Sequence, residues 1–244
     1  MKPSGDWQCL GHSFPGRPRI RLKYDGHNQK KVLTTEAKKR GVQIEDHSPV
    51  TEYLKDENGK ICGVVAIGIS ELEPEVKLYK AKAVISASGN TSRLYPSITG
   101  GYMFNTAHCP CNAGGGRAAA YRIGAELVNM EMPNTHAGPK YMERCGKATW
   151  IGVLTDPNGV PVGLECEGDT SILDAIAKQG IDLHKDIVEF TQYEPMLIGR
   201  GVQIDEHAAT NIPGLYAAGD ETGNFRSDIA GAAVMGRIAG ESAA

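Results

Sequence analysis

One segment near the end of the sequence could present backbone groups and a carboxylate to a bound ligand. Residues 211–220 begin with an Asn-Ile-Pro-Gly turn, continue as the apolar run Leu-Tyr-Ala-Ala and end in Gly219 and Asp220. Glycine lets the backbone approach a ligand closely, and an ionised carboxylate accepts hydrogen bonds. Ligands of dinucleotide-binding folds lie outside the carboxyl ends of strands. The segment therefore predicts one wall of a ligand site at a strand end.

Two further glycine-containing segments could complete such a site. The apolar run at residues 83–88 ends in Gly89, and Gly114, Gly115 and Gly116 precede a run of good helix formers. The usual partner of these features is a G-x-G-x-x-G fingerprint between a strand and a helix. No such fingerprint occurs before residue 211. The sequence therefore predicts a site of which one part is missing.

Other catalytic and metal-binding patterns are weak. His108, Cys109 and Cys111, with Cys145 further on, could be metal ligands or, for the two nearby cysteines, a redox pair. A structural zinc site usually needs four ligands in paired short spacings, so idle thiols are the simpler interpretation. The sequence contains no G-x-S-x-G, P-loop or H-E-x-x-H motif, which leaves hydrolase and nucleoside-triphosphatase functions without support.

Composition also restricts the partners. The 244 residues carry a net charge of −3, and the basic cluster at residues 17–23 lacks interleaved aromatic residues, so we expect no nucleic-acid partner. The longest apolar stretch, near residues 62–69, is too short to cross a membrane. The six cysteines are spread out and no secretory signal precedes them, which predicts reduced thiols and a cytoplasmic location.

The elements that must position these residues form an α/β pattern. Periodicity predicts helices at residues 32–40, 117–128, 171–178 and about 228–243. It predicts an antiparallel meander of strands at 50–54, 61–69 and 76–81, in which an Asn-Gly turn joins the first two strands. The continuous apolar run at 83–88 predicts a buried parallel strand, and short strands are expected at 42–45, 129–132 and 201–205.

Four segments resemble, in order, motifs of the FAD-dependent fumarate reductase and succinate dehydrogenase flavoproteins. Residues 83–89 are similar to the family's strand that ends in A-T-G-G, and residues 114–131 to its T-G-D-G, helix and A-G-A-x-L-x-D-M-E. Residues 201–205 resemble the strand that re-enters the FAD domain, and residues 212–220 (IPGLYAAGD) resemble I-P-G-L-Y-A-A-G-E. Residues 236–241 match the last helix. The resemblance covers roughly residues 31–133 and 199–244.

The resemblance implies a partial FAD-binding domain of the glutathione-reductase-like α/β type, with a parallel sheet, an antiparallel β-meander and a short capping-type insertion. It implies an irregular arm at 1–30, the first part of the FAD-binding domain at 31–133, the capping or substrate insertion at 134–198 and the C-terminal part of the FAD-binding domain at 199–244. The family's H-x-G attachment context is not present, so the implied FAD is non-covalent.

The resemblance also implies the cofactor-binding residues. Asp220 would accept hydrogen bonds from ribityl hydroxyls, and the start of the last helix would direct its positive dipole at the flavin N1–C2=O edge. The full implied set is Ser88, Gly89, Gly114, Gly115, Gly116, Gly219, Asp220 and Ser227.

The implied substrate is a small carboxylate, because the family transfers a hydride between flavin and a C–C bond next to a carboxylate. His136 lies close to the position of the family's His-Pro-Thr segment and would contact the carboxylate or an oxyanion. Arg226 and Arg144 are the candidate arginines, since arginine binds carboxylates through two parallel hydrogen bonds. A solvated surface charge is the alternative interpretation of both arginines.

Two departures from the family leave two functions open. The N-terminal fingerprint is missing, and the family's H-Y-x-M-G-G is Tyr193-Glu194-Pro195-Met196-Leu197-Ile198 here, without the histidine. The chain is therefore expected to be a truncated member, a fragment or one piece of a split protein, with weak FAD binding in isolation. It is either a flavin-dependent oxidoreductase, complete or complemented, or a catalytically silent fragment or subunit. The silent form would bind FAD only when a partner chain or a missing N-terminal segment supplies the βαβ unit.

Overall fold

A computed structural model describes residues 27–69, 73–91, 111–131, 180–182, 185–186, 199–225 and 229–244, and the backbone of 136–139 and 190–193. The chain divides into two compact units, one formed by residues 1–46 and 147–189 and the other by residues 47–146 and 190–244. Most of the arm expected at 1–30, the basic cluster at 17–23 and the helix expected at 171–178 lie outside the described residues.

The described part of the first unit is mainly one helix. Helix α1, Gln29–Lys39, confirms the helix predicted at 32–40, and its last turn carries Lys38 and Lys39. The strand predicted at 42–45 is wrong, because these residues are irregular and Val42 and Ile44 are exposed. A β-strand needs a neighbouring backbone for its hydrogen bonds, and no described segment pairs with this one.

The second unit contains the predicted antiparallel meander. Strands β1 (Val50–Lys55), β2 (Ile61–Gly68) and β3 (Glu75–Lys80) pair in the order β1-β2-β3. Asp56 shapes the turn between β1 and β2, because its carboxylate accepts hydrogen bonds from the backbone N–H groups of Asn58 and Lys60, each at 2.9 Å. Tyr53 and Ala66 direct one face of the meander into the core.

A short parallel pair lies at the centre of the second unit. Strand β4, Val84–Ser86, pairs in parallel with a strand from the end of the chain, Leu215–Ala217, called β9 below. This confirms the parallel strand predicted at 83–88. The expected full burial is wrong for Ile85, which is 41% exposed. Within the described residues β4 has only one neighbouring strand, so one of its edges and part of one face lack cover.

The glycine-rich segment begins a helix that is shorter than predicted. Helix α2 spans Gly115–Arg122, whereas the pattern predicted 117–128. The helix ends because Gly124 adopts a left-handed backbone conformation, with φ at +91°. The following residues form strand β5, Leu127–Val128, which pairs antiparallel with β8, Gly201–Val202. The strand expected at 129–132 is therefore wrong in position, and the strand expected at 201–205 is shorter than predicted.

A pair of strands and a helix complete the described part of the second unit. Strands β6 (His136–Pro139) and β7 (Phe190–Tyr193) pair antiparallel, which the sequence did not predict. Helix α3, Ile229–Ala243, confirms the predicted last helix and buries Met235 and Ala239 against the core that includes Leu215 and Ala217. Within the described residues, no helix combines the length and the apolar character needed to cross a membrane.

Candidate functional site

The ends of β4 and β9 bring two predicted segments side by side. The last backbone hydrogen bond of the pair joins the N–H of Ala218 to the carbonyl oxygen of Ser86, at 3.0 Å. Beyond this bond, Gly89 follows β4 and Gly219 follows β9, with φ at +81° and +70°. Left-handed backbone of this kind suits glycine and turns both chains sharply at the strand ends. The two segments therefore lie side by side at the carboxyl end of the parallel pair, as the sequence predicted.

The start of helix α2 contacts the loop after β4. A Cβ atom added at Gly116 would collide with the hydroxyl of Ser88 and lie 2.8 Å from Ser88 Cβ. A Cβ added at Gly114 would lie 2.8 Å from Thr91 Oγ1. The glycines are therefore needed for a close approach between the helix start and the β4 loop.

The same helix start is open on its other side. A Cβ atom added at Gly89 or Gly115 would meet nothing within 4 Å. No side chain caps the N-terminus of α2, and its first turn contains no acidic residue. Free backbone N–H groups and the helix dipole make such an end attractive to negative charge. Within the described part of the chain, this side of the helix start therefore combines bare backbone with a positive helix end, which suits a negatively charged group.

Beneath this open surface lies a buried polar cluster that the sequence reasoning missed. Arg117 is only 3% exposed, and its Nη2 donates hydrogen bonds to the carbonyl oxygens of Gly89 (3.2 Å) and Asp220 (2.5 Å). Glu221 is fully buried, and its carboxyl group accepts a hydrogen bond from the Ser88 hydroxyl. The cluster connects the loop after β4 with the loop after β9.

A tyrosine hydrogen bond extends the cluster toward the meander. The hydroxyl of Tyr53 on β1 donates to Ser86 Oγ at 2.8 Å, and both residues are buried. Burial raises the pKa of the Tyr53 hydroxyl, with a smaller contribution from the charge of Glu221. The hydrogen bond to Ser86 acts in the opposite direction. Tyr53 is therefore held in its protonated, donating form.

Burial also dominates the electrostatics of Glu221. Desolvation raises the pKa of its carboxyl group above the ordinary value of 4.5. The hydrogen bond from Ser88 and the positive charge of Arg117 lower it, but the net direction is upward. Desolvation penalises the charged form of a group more strongly than the neutral form. The carboxyl group of Glu221 therefore takes up a proton more readily than that of an exposed glutamate.

Two asparagines fix the remainder of the loop after β9. Asn129 donates from Nδ2 to the carbonyl oxygens of Gly199 (3.0 Å) and Gly223 (2.7 Å). The Asn224 side chain accepts from the N–H of Ile204 at 3.2 Å and donates to its carbonyl oxygen at 2.6 Å. These bonds hold the loop to the segment that includes β8, so its backbone has a fixed position relative to the strand ends.

The structure brings together most of the predicted cofactor-binding residues. Seven of them surround the ends of β4 and β9 and the start of α2: Ser88, Gly89, Gly114, Gly115, Gly116, Gly219 and Asp220. Their roles as cofactor ligands remain predictions.

The described residues do not show any predicted catalytic residue at this site. The catalytic candidates Arg226 and Arg144 lie outside the described residues, as does the eighth cofactor-binding candidate, Ser227. His136 is the first residue of β6, where its backbone pairs with Tyr193. His108, Cys109 and Cys145 also lie outside the described residues, and Cys111 is an exposed free thiol.

The residues that sequence reasoning missed carried a weak signal. Arg117 is a charged residue between three glycines and a run of three alanines, Ala118, Ala119 and Ala120. Glu221 directly follows the predicted ligand Asp220. A lone charge inside a small-residue, apolar segment indicates burial with a partner, because unpaired charges are almost never fully buried.

Fold and geometry together define the class of this chain: an α/β domain in which glycine segments meet at the ends of a parallel strand pair, where dinucleotide-binding folds place their ligands. The model of the FAD binding domain family matches residues 6–159, more than half of the chain. The chain belongs to this family. The match confirms FAD as the predicted cofactor.

Curated relatives agree with this assignment. One of them is a subunit of the CoM/CoB fumarate reductase of Methanothermobacter marburgensis, which is 24% identical over 278 aligned residues that cover 90% of this chain and 49% of that protein. An uncharacterized FAD-dependent oxidoreductase of Methanocaldococcus jannaschii is 28% identical over 218 residues, covering 67% of this chain and 39% of that protein. The chain therefore spans about half or less of the length of these relatives.

Solved structures show the same fold. The apo Sdh1 complex of Mycobacterium smegmatis superposes with a TM-score of 0.66 at 21% identity, covering 99% of this chain and 50% of that chain. A variant of FrdA from the E. coli quinol fumarate reductase superposes with a TM-score of 0.64 at 20% identity, covering 100% of this chain and 52% of that chain. The predicted resemblance to fumarate reductase and succinate dehydrogenase flavoproteins is confirmed.

Proposed function

We propose that this chain forms the flavin-cradling part of a flavoprotein oxidoreductase of the fumarate reductase and succinate dehydrogenase type. The observation that carries the proposal is the meeting of three glycine segments, at Gly89, Gly115 and Gly219, where two parallel strands end. Bound FAD supplies hydride transfer between its N5 atom and a C–C bond next to a carboxylate.

The chain's own residues bind and orient the cofactor in this proposal. The uncapped N–H groups at the start of α2 attract negative charge, and the bare backbone at Gly89 and Gly115 leaves space for the cofactor. Asp220 accepts hydrogen bonds from ribityl hydroxyls. Ser227 and the start of α3 contribute backbone or hydroxyl groups at the flavin edge. The FAD is held without a covalent bond.

The substrate part of the proposal is a small carboxylate. His136 and Arg226 orient its carboxyl group, and Arg144 in the insertion is the third candidate. We expect His136→Gln and Arg226→Met each to raise the KM for fumarate in an assay with a reduced dye, because the first replaces the imidazole donor by an amide of different geometry and the second removes the guanidinium group. His207→Gln is the control, since His207 is an exposed histidine on the same unit. A KM equal to that of the wild type in both test variants would remove these residues from the site.

A second candidate function rests on the missing fingerprint. The sequence contains no G-x-G-x-x-G motif. The chain also covers only part of the length of its curated relatives. In this form the chain is a catalytically silent fragment or subunit that binds FAD only with a separate βαβ unit. The Sdh1 neighbour is described as a complex, which supports a partner chain.

The visible absorbance of the purified chain separates the two functions. Flavin absorbance after purification, or after incubation with FAD and gel filtration, supports a cofactor-binding oxidoreductase. A protein that stays colourless after incubation, but retains FAD once a fingerprint-containing βαβ polypeptide is added, supports the silent form. Absence of colour under both conditions contradicts the proposed function.

The proposed organisation follows the same interpretation of the sequence. The arm is residues 1–30, the FAD-binding domain comprises 31–133 and 199–244, and the capping or substrate insertion is 134–198. A glutathione-reductase-like topology and a cytoplasmic location belong to this proposal. Nucleic acid is not among the proposed partners.

A further inference from the structure

The two loops that form the proposed cofactor site come from distant parts of the sequence. Their strands are joined by parallel pairing only as far as the bond between Ala218 and Ser86. Beyond this point no backbone hydrogen bond joins the described residues of the two loops. Side chains therefore make the direct hydrogen bonds between the two loops, and the spacing of the loops decides how well both can contact one cofactor.

Arg117 is suited to set that spacing. Its guanidinium group extends from α2 to the carbonyl oxygens of Gly89 and Asp220, so one rigid planar group contacts both loops. The side chain is buried, which shields these bonds from competition with water.

Glu221 provides a second connection, from the loop after β9 to the loop after β4. It lies in the 3₁₀ turn Gly219–Glu221 after β9, and its carboxyl group accepts the hydrogen bond from Ser88 in the loop after β4. Arg117 lies close enough to favour its charged form. Gly116 has no room for a side chain, because a Cβ there would meet Ser88 and would lie 3.3 Å from Glu221 Oε1. The pair therefore occupies a closely packed space between the two loops.

We propose that Arg117 and Glu221 are positioning residues that hold the β4 and β9 loops at the spacing that FAD binding requires. The inference rests on the proposed function and deepens it. Joint replacement of buried charged or polar side chains by apolar residues of similar volume is often neutral or stabilising. If Arg117 and Glu221 serve stability, replacing both should lower the thermal midpoint. If they serve positioning, replacing both should weaken FAD binding without lowering the thermal midpoint.

The decisive variant is Arg117→Met combined with Glu221→Met. We expect its thermal midpoint to equal or exceed that of the wild type, because both buried polar groups are replaced by apolar side chains. We expect its Kd for FAD to rise at least about tenfold, because the two loops lose their fixed spacing. Amide hydrogen exchange should become faster in residues 86–91 and 219–223 of the protein without FAD, a readout that does not depend on cofactor binding.

A matched control lies on the same helix. Arg122 forms an exposed salt bridge of 2.9 Å with Glu52 on β1, away from the two loops. Arg122→Met with Glu52→Met makes the same two kinds of substitution, with the arginine on the same helix. This control should leave both the Kd for FAD and the exchange of the two loops unchanged.

The outcomes separate this inference from the proposed function. Unchanged FAD affinity and unchanged loop exchange in the Arg117 and Glu221 double variant overturn it. So does a loss of affinity that only follows a loss of thermal stability, since that result indicates a structural role alone. If the wild type binds no FAD even with a βαβ polypeptide, the proposed function fails, and the loop exchange alone then decides whether the pair positions the loops.

Discussion

Arg117 and Glu221 show how single residues can connect segments that are far apart in the sequence. Arg117 belongs to α2, yet its hydrogen-bond acceptors belong to the loops after β4 and β9. Glu221 is fully buried and accepts a hydrogen bond from Ser88. Because charged groups are rarely buried without partners, each residue depends on the loop groups to which it is hydrogen-bonded. Substitutions of single residues at this site should therefore change properties of both loops.

The buried carboxyl group of Glu221 predicts a pH-dependent stability. Its folded-state pKa is raised above 4.5, so the folded state keeps a proton that the unfolded state has already released. The resulting stability is complete below the unfolded-state pKa and is lost as the pH rises through the folded-state pKa.

Glu221→Gln should remove this contribution, because glutamine has no proton to release. We expect the free energy of unfolding of the wild type, relative to that of Glu221→Gln, to decrease as the pH rises from about 4.5. Urea denaturation at a series of pH values measures this difference. A constant difference over the whole pH series would exclude Glu221 as the source of the pH dependence.

Asp220 is the predicted hydrogen-bond acceptor for the ribityl chain. Asp220→Ala should weaken FAD binding by about 1–3 kcal/mol, the usual cost of losing a charged hydrogen-bond partner. Isothermal titration calorimetry measures the change, and Glu206→Ala is the control because Glu206 is an exposed acid elsewhere on the same unit. Equal affinity in wild type and Asp220→Ala would remove Asp220 from the cofactor site.

At the scale of elements, the start of α2 is closely packed on one side and open on the other within the described residues. One side packs against the β4 loop, so Gly116 has no space for a side chain. The other side is open at Gly115, where an added Cβ would meet no neighbouring atom within 4 Å. Two neighbouring glycines of one helix therefore serve different purposes, one in packing and one in access to the backbone.

This difference predicts opposite effects of two alanine substitutions. Gly116→Ala should destabilise the protein by about 1–3 kcal/mol, because the new methyl group collides with Ser88. Gly115→Ala should stabilise it by about 0.5–1 kcal/mol, because alanine favours helix and the position is open. It should nonetheless weaken FAD binding, since the methyl group occupies space next to the backbone.

Urea denaturation and FAD titration of the two variants test these expectations together. Each variant is the matched control of the other, because both replace glycine by alanine within the first two residues of α2. Stabilisation by Gly116→Ala would show that the β4 loop does not pack against the helix start as described.

At the scale of the whole molecule, the proposed cradle consists of strand ends and a helix start. The sequence contains no G-x-G-x-x-G fingerprint of the kind that anchors a dinucleotide. The curated relatives are about twice as long as this chain or longer. The chain's cofactor preference should therefore reveal whether a further unit is needed.

We predict that FMN stabilises the isolated chain about as much as FAD does. A ligand that binds the folded state raises stability by about 2.7 kcal/mol at a hundredfold excess over its Kd, so thermal unfolding reports relative affinity. Adding a fingerprint-containing βαβ polypeptide should then raise the midpoint with FAD but not with FMN, because only FAD carries the adenosine. A clear preference for FAD over FMN without that polypeptide would contradict the incomplete site.

The sequence by itself determined the local elements and the family. Alternating apolar residues and the Asn-Gly turn specified the β1–β2 hairpin, and the apolar run before Gly89 specified a parallel strand, because these signals depend only on neighbouring residues. The ordered motifs that end in Gly219 and Asp220 indicated FAD. Seven of the eight predicted cofactor-binding residues come together where these motifs meet.

Only the tertiary structure decided which segments contact one another beyond these motifs. Leu127 and Val128 were expected to end a helix but pair with Gly201 and Val202, since a partner strand can override helix propensity. The burial of Arg117 and Glu221 likewise depends on the meeting of α2 with two loops that are far apart in the sequence from one another. Propensity and periodicity report on residues a few positions apart. The spacing of the two cofactor loops is a long-range property, and it was fixed only when the chain folded.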